Sequence, residues 1–196
     1  VWYWFFRGLF LILLKVFFKF KVEGIDNLPQ KTNFIIVANH ASYLDSLALG
    51  AAVPRKIHWI AAGYLYRIGW LRIFLKRTDT LALGNASQRA FNLLKKGKNV
   101  GLFPEGQRSL DGSLGEFRTG AALLASKTGR PIVPCAILGA HQAYSINAKF
   151  PKLFFPITVC IGKPLYILKE FNDIIDDTYL KEGMLRVRDK IKGLLC

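Results

Sequence analysis

Five consecutive apolar residues, Phe34-Ile35-Ile36-Val37-Ala38, constrain the fold more than any other stretch. The run is short, β-branched and aromatic, so it predicts a buried strand. Further strands are expected at Ile57 to Ala62, Asn99 to Phe103, Ile132 to Leu138 and Ile157 to Ile161. Helical patterns lie between them. In Gly84 to Lys96, the residues Ala86, Ala90, Leu93 and Leu94 share a face, and Gly97 stands where a C-terminal glycine belongs. Gly120 to Thr128 reads as a small-residue helix ended by Gly129 and Pro131, and Ser109 to Glu116 as a loop rich in Gly and Asp. From about Asp177, Leu180, Met184, Val187, Ile191 and Leu194 form the stripe of a terminal amphipathic helix. The alternation predicts an α/β fold: a single domain with a central, mainly parallel or mixed sheet flanked by helices. A chain of 196 residues suits one domain with a sizeable core.

The stretch up to Lys21 is apolar, interrupted by Arg7, Lys15 and Lys19, and no acidic residue precedes Glu23. The longest uncharged run, Gly8 to Leu14, is too short to cross a bilayer, which takes about 20 helical residues. On a helix the three cations share about a third of the circumference, and aromatic and aliphatic side chains dominate the rest. The expectation is a membrane-interface amphipathic helix over 1–21, followed by a folded domain over 22–196. A secretory leader is the alternative, but no small-residue cleavage site follows Leu14. The chain does not begin with methionine, which leaves room for a preceding anchoring segment. Val22 to Gln30 reads as a polar link. Gly63 to Leu75 reads as a helix whose aromatics serve either the membrane side or an ordinary core.

Apolar residues make up 52% of the chain, yet its net charge is +15, which calls for an anionic partner. A phospholipid surface and nucleic acid both fit that charge. Cys135, Cys160 and Cys196 show no paired spacing, as in a reducing cytoplasm, and Cys135 and Cys160 fall in apolar runs as buried thiols would. His40, His58 and His141 are scattered, so no metal is expected.

The chemistry-bearing stretch follows the first strand: Asn39-His40-Ala41-Ser42-Tyr43-Leu44-Asp45-Ser46. Five residues along one helix turn a side chain by roughly 140°, so His40 meets Asp45 only if it lies in the turn and Asp45 in the first helical turn. Two readings of Asp45 compete. Ser42 and Asp45 have the spacing of a capping box. Alternatively, Asp45 orients His40 and stabilises its imidazolium, as the carboxylate of a catalytic triad does.

A second block, Phe103-Pro104-Glu105-Gly106-Gln107-Arg108-Ser109, also follows a strand. Together the two blocks resemble the 1-acylglycerol-3-phosphate (lysophosphatidic acid) acyltransferase family. Its Asn-His-x-x-x-x-Asp motif is met by Asn39, His40 and Asp45. An arginine after an apolar triplet is met by Ile73-Phe74-Leu75-Lys76-Arg77. Phe-Pro-Glu-Gly-Thr-Arg-Ser is met except that Gln107 replaces threonine. Phe-Lys-x-Gly appears as Phe117-Arg118-Thr119-Gly120, and the apolar Val-Pro segment as Ile132 to Ile137. The matches keep the family order from about Val22 to Gly162.

The resemblance implies transfer of a fatty acyl group to the free hydroxyl of 1-acylglycerol-3-phosphate, giving phosphatidic acid. His40 and Asp45 are the implied catalytic residues. Arg77 and Arg108 are implied acceptor binders, with Phe103, Pro104, Glu105, Gly106 and Arg118 as further substrate-binding residues. Glu105 cannot bind phosphate directly and is expected to fix Arg108 or a turn amide. The expected partners are anionic membrane lipids, a lysophospholipid, and acyl-CoA or an acyl carrier protein as thioester co-substrate, without a cofactor or nucleic acid. The expected location is the cytoplasmic face of a membrane such as the bacterial inner membrane, with peripheral or monotopic attachment. Direct transfer is preferred over an acyl-enzyme, because neither Ser42 nor Ser46 sits in a Gly-x-Ser-x-Gly context. Two alternatives stay open: the same chemistry on another lysolipid, and a non-enzymatic basic domain that binds membrane or nucleic acid.

Overall fold

The computed structural model describes residues 1–82, 84–167 and 177–196. Seven strands form one sheet: β1 (Lys21–Glu23), β2 (Ile35–Ala38), β3 (Ile57–Ala61), β4 (Leu81–Ala82), β5 (Asn99–Leu102), β6 (Ile132–Leu138) and β7 (Thr158–Ile161). Their order is β1-β7-β6-β2-β5-β3-β4. All paired neighbours are parallel except β6 and β7, so the sheet is mixed. Ile35, Ile36, Val37 and Ala38 are fully buried, as the apolar run required of a central strand.

Helices cover both faces. On one lie α1 (Trp2–Phe18) and α2 (Asp45–Ala52), over a core containing Leu14, Phe18, Ile36, Leu49 and Val159. On the other lie α4 (Ala86–Lys95), α5 (Gly120–Thr128) and α7 (Asp177–Leu194), over Ile35, Val37, Leu94, Ala125 and Val187. The predicted helical stripes supply much of this second core: Ala86, Ala90 and Leu94 are buried from α4, and Leu180, Met184, Val187 and Ile191 from α7. The chain leaves β2 through α2 to reach β3, and returns from β5 through α5 to β6 on the opposite face. The crossovers therefore diverge around β2, and ligands of open α/β sheets bind beyond the carboxyl ends of strands at such a point.

Several local expectations need correcting. The polar link contains β1, which pairs with β7; a boundary between Lys21 and Val22 would cut that strand. The first helix ends at Phe18, with Lys19 in the left-handed region as its cap. Arg7 does not join Lys15 and Lys19 in a basic stripe. It shares the wheel face of buried Tyr3, Leu14 and Phe18, and its Nε donates to the Val53 carbonyl at 3.0 Å. Gly63 to Leu75 is a 3-10 turn (Gly63–Arg67) followed by α3 (Gly69–Arg77), separated by extended Ile68. Its aromatics divide between packing and exposure: Phe74 packs edge-on against Phe6 and Phe10, while Tyr64 and Trp70 are exposed, as is Ile73. A short helix, α6 (Ala140–Ala143), follows β6 and carries no advance sequence signal. Among the described residues no helix is long and apolar enough to cross a membrane.

Candidate active site

His40 lies two residues beyond the end of β2, and Asp45 opens α2. The intervening turn brings the His40 Nδ1 to 2.8 Å from the Asp45 Oδ2. The same oxygen accepts the backbone N–H groups of Ala41 and Ser42, each at 2.7 Å. One atom thus does two things: it holds the imidazole, and it ties down amides of the turn before α2, which is only the Asp45 half of the capping-box expectation. Asp45 is fully buried, where three donors and the amino end of α2 offset the cost of a charge out of water. Because a carboxylate only accepts, Nδ1 carries a proton and Nε2 is left to receive one. Ser42 has a different partner from the capping-box expectation. Its hydroxyl donates to the Tyr144 carbonyl at 2.7 Å and accepts the Leu44 N–H at 3.1 Å.

The second block reaches the same place from the end of β5. Phe103 stacks on the His40 ring at 4.1 Å and 15°, and Trp59 of β3 stacks behind it at 5.4 Å and 9°. Glu105 is the brace. Its Oε1 accepts the His40 N–H at 2.7 Å and its Oε2 the Gly115 N–H at 3.2 Å, so it fixes turn amides, as expected, and not Arg108. Burial pushes the Glu105 carboxyl above its ordinary range, against the opposing pull of those two amides. The Ser109 N–H closes the arrangement on the His40 carbonyl at 2.8 Å.

Arg108 is half-buried, its guanidinium 3.9 Å above the centre of the Tyr43 ring, two residues before Asp45. Gly106 has φ +75°, and a Cβ there would stand 2.8 Å from the Arg118 Cζ. The close approach Gly106 permits is thus to Arg118, which also donates its N–H to the buried Pro104 carbonyl. Arg77 is not brought to this cluster. It ends α3, and its guanidinium lies 4.4 Å over the Trp2 ring of α1, next to Tyr3, whose hydroxyl accepts the Ile57 N–H at the amino end of β3.

Several supporting residues had no role assigned from the sequence. Buried Asn39 exchanges two hydrogen bonds with the Ile137 backbone, locking the end of β2 to β6. Arg188 of α7 donates to the carbonyls of Gly115 and Leu114, and His141 of α6 bonds the Leu110 carbonyl, so two distant elements hold the loop after Arg108. Asn39 stood in the first motif without a stated role; Arg188 and His141 had no local signal beyond being polar residues on or near a helix. Two nucleophile candidates are occupied or suppressed. The Ser42 hydroxyl is spent on Tyr144, and burial pushes the Cys135 thiol well up.

An imidazole backed by a buried carboxylate on the carboxyl side of a central strand, with a guanidinium over the neighbouring Tyr43 ring, is an arrangement that can accept a proton and bind an anion. Residues 19–138 match the acyltransferase family, and the chain belongs to it. The relatives it matches agree with the resemblance carried by the motif blocks. A chloroplastic 1-acyl-sn-glycerol-3-phosphate acyltransferase of Brassica napus is 34% identical over 159 residues, covering 76% of this chain and 46% of that protein. The Bacillus subtilis 1-acyl-sn-glycerol-3-phosphate acyltransferase is 28% identical over 153 residues, covering 74% and 73%. The crystal structure of the 1-acyl-sn-glycerophosphate acyltransferase PlsC from Thermotoga maritima superposes with a TM-score of 0.71 at 27% identity, over 89% of this chain and 71% of that one. The chain spans less than half the length of the plant relatives.

Proposed function

We propose that the chain acylates the free hydroxyl of 1-acylglycerol-3-phosphate, giving phosphatidic acid, with an acyl thioester as donor. The observation that carries this reading is the His40–Asp45 pair at 2.8 Å with Arg108 alongside. A hydroxyl is a weak nucleophile until its proton has somewhere to go. His40 Nε2 accepts that proton as the acceptor oxygen attacks the thioester carbonyl, and Asp45 stabilises the resulting imidazolium. Collapse of the tetrahedral adduct breaks the carbon–sulfur bond, and the departing thiolate takes the proton back from His40. Arg108, with Arg118 as second candidate, binds the acceptor phosphate through its guanidinium fork.

The donor is a co-substrate, acyl-CoA or an acyl carrier protein, and no cofactor takes part. The chain acts at an anionic membrane surface on its cytoplasmic side. The exposed apolar stripe of α1 supports the membrane, and three free cysteines suit a reducing compartment. The test supplies purified protein with each donor against a panel of lysolipids and glycerol-3-phosphate, with products weighed by mass spectrometry. Phosphatidic acid from 1-acylglycerol-3-phosphate is the expected dominant product. Preference for another lysolipid would move the substrate assignment, and absence of transfer together with salt-sensitive nucleic-acid binding would overturn it.

A further inference from the structure

The exposed stripe of α1, Phe5, Leu9, Ile12, Leu13 and Val16, is joined at its carboxyl end by a second apolar element. The segment Phe150-Pro151-Lys152-Leu153-Phe154 precedes β7 and leaves Phe150, Leu153 and Phe154 81%, 49% and 60% exposed. Its backbone is firmly tied. The Phe154 and Ile157 N–H groups donate to the Phe17 and Phe18 carbonyls at the end of α1, and the Lys152 N–H donates to Ala143 of α6. Gly139 faces the Pro156 carbonyl so closely that a Cβ there would stand 2.0 Å from it. Phe154 itself is held at φ +63°, a region bulky residues rarely enter. A fixed backbone presenting three outward apolar side chains differs from a solvated loop, which has no reason to order them.

We infer that 149–154 is a second membrane-insertion wedge, which with α1 seats the His40 end of the sheet against an anionic lipid leaflet. This rests on the membrane reading proposed above. The occupant follows from charge. No aspartate or glutamate occurs in α1 and its cap or from Ala140 to Phe155, the stretches that carry these side chains. Lys15, Lys19, Lys149 and Lys152 are all exposed on them, a cationic rim around apolar side chains. The wedge also has a position relative to the chemistry. Thr158 pairs with Leu138 at the carboxyl end of β6, the end at which β2 delivers His40. From Lys152 the connection runs to Ala143, then through the Tyr144 carbonyl to Ser42 beside His40. One helix lying in an interface can roll about its axis; a second contact beyond its end removes that freedom.

The test measures binding of the full chain to phosphatidylcholine vesicles with and without phosphatidylglycerol. The wedge variant carries Phe150→Ser, Leu153→Ser and Phe154→Gly, the glycine keeping the positive φ. A second variant carries Phe5→Ser, Leu9→Ser and Ile12→Ser on α1. The wedge variant is expected to bind anionic vesicles about tenfold more weakly or worse, with folding retained by circular dichroism. If it binds like the parent while the α1 variant does not, the wedge is wrong and the membrane reading stands. If neither change matters, the membrane reading itself fails. If the wedge variant turns a dimer into a monomer with unchanged vesicle binding, the face is a contact between copies and the inference is overturned. Should the triple change unfold the chain, Lys149→Glu with Lys152→Glu replaces it. Loss of binding to anionic vesicles is expected, and unchanged binding would overturn the wedge.

Discussion

His40 and His58 lie on either side of β5, and each has an aspartate and a cation within reach. At His40 the ring nitrogen faces the aspartate carboxylate, the side chain keeps 21% of its surface open, and Arg108 lies over nearby Tyr43. At His58 the geometry is reversed. Its Nδ1 meets the backbone carbonyl of Asp79 at 3.2 Å, while the Asp79 carboxylate is taken by Lys56. Burial, with Lys56 adding to it, pushes His58 below its ordinary pKa, so it remains neutral at neutral pH and serves as a structural donor. Composition around a histidine therefore says little. What makes a base is a carboxylate aimed at the ring and an open second nitrogen.

The largest effects should separate the two histidines by turnover. His40→Ala is expected to cut turnover by about three to four orders of magnitude, and Asp45→Asn by nearly as much. The double variant should be scarcely slower than His40→Ala, because an orienter has nothing left to orient. Asp45→Asn should also lower stability by about 0.5–2 kcal/mol, since the carboxylate holds the Ala41 and Ser42 amides. Steady-state rates and thermal unfolding on the same preparations check both. Additive rate losses would break the pairing of His40 with Asp45.

Next in size is the contrast between the two arginines. Arg108→Ala should raise KM for a phosphate-bearing acceptor tenfold or more, from loss of a charged hydrogen bond worth about 1.5–3 kcal/mol. Arg77→Ala should leave KM within about twofold, because its guanidinium is stacked on Trp2. Equal losses would return Arg77 to the acceptor site.

His58→Ala should cost about 1–3 kcal/mol of stability through a buried polar group left unpaired, with turnover per folded molecule unchanged. A collapse of turnover in the folded fraction would erase the distinction between the histidines.

The smallest effect sharpens the contrast through Glu105. Its carboxyl is raised by burial, so the folded state holds this proton more tightly than the unfolded one. The associated stability is fully present below the unfolded value of about 4.3 and is lost as pH rises through the raised folded value. The melting temperature of the parent minus that of Glu105→Gln should therefore fall between acid and neutral pH. A flat or rising difference would mean that Glu105 does not sense its burial.

Much of the fold was legible because its signals are local. Apolar β-branched runs mark β2 and β6, and the helical stripes mark α4 and α7, since periodicity is a property of neighbouring residues. The His40–Asp45 pair was legible for the same reason, being closed by one short turn. The sheet edges were not. β1 is three residues long and β4 two, too few for a pattern, and each exists because a partner strand offers hydrogen bonds. Arg7 and Arg77 also misled, because a cation in an apolar stretch reads the same whether it meets solvent, a carbonyl or a ring.

By itself, then, the sequence determined an α/β sheet, a histidine and aspartate at the end of its central strand, and a cationic chain suited to anionic surfaces. Only the tertiary structure decided that Glu105 braces His40 across 65 residues, that Asn39 locks β2 to β6 across 98, and that Arg108 and not Arg77 attends the site. Those choices depend on where separate strands end relative to one another. Chain geometry carries that information only once the sheet has closed, because a hydrogen bond between distant residues leaves no periodic trace in either.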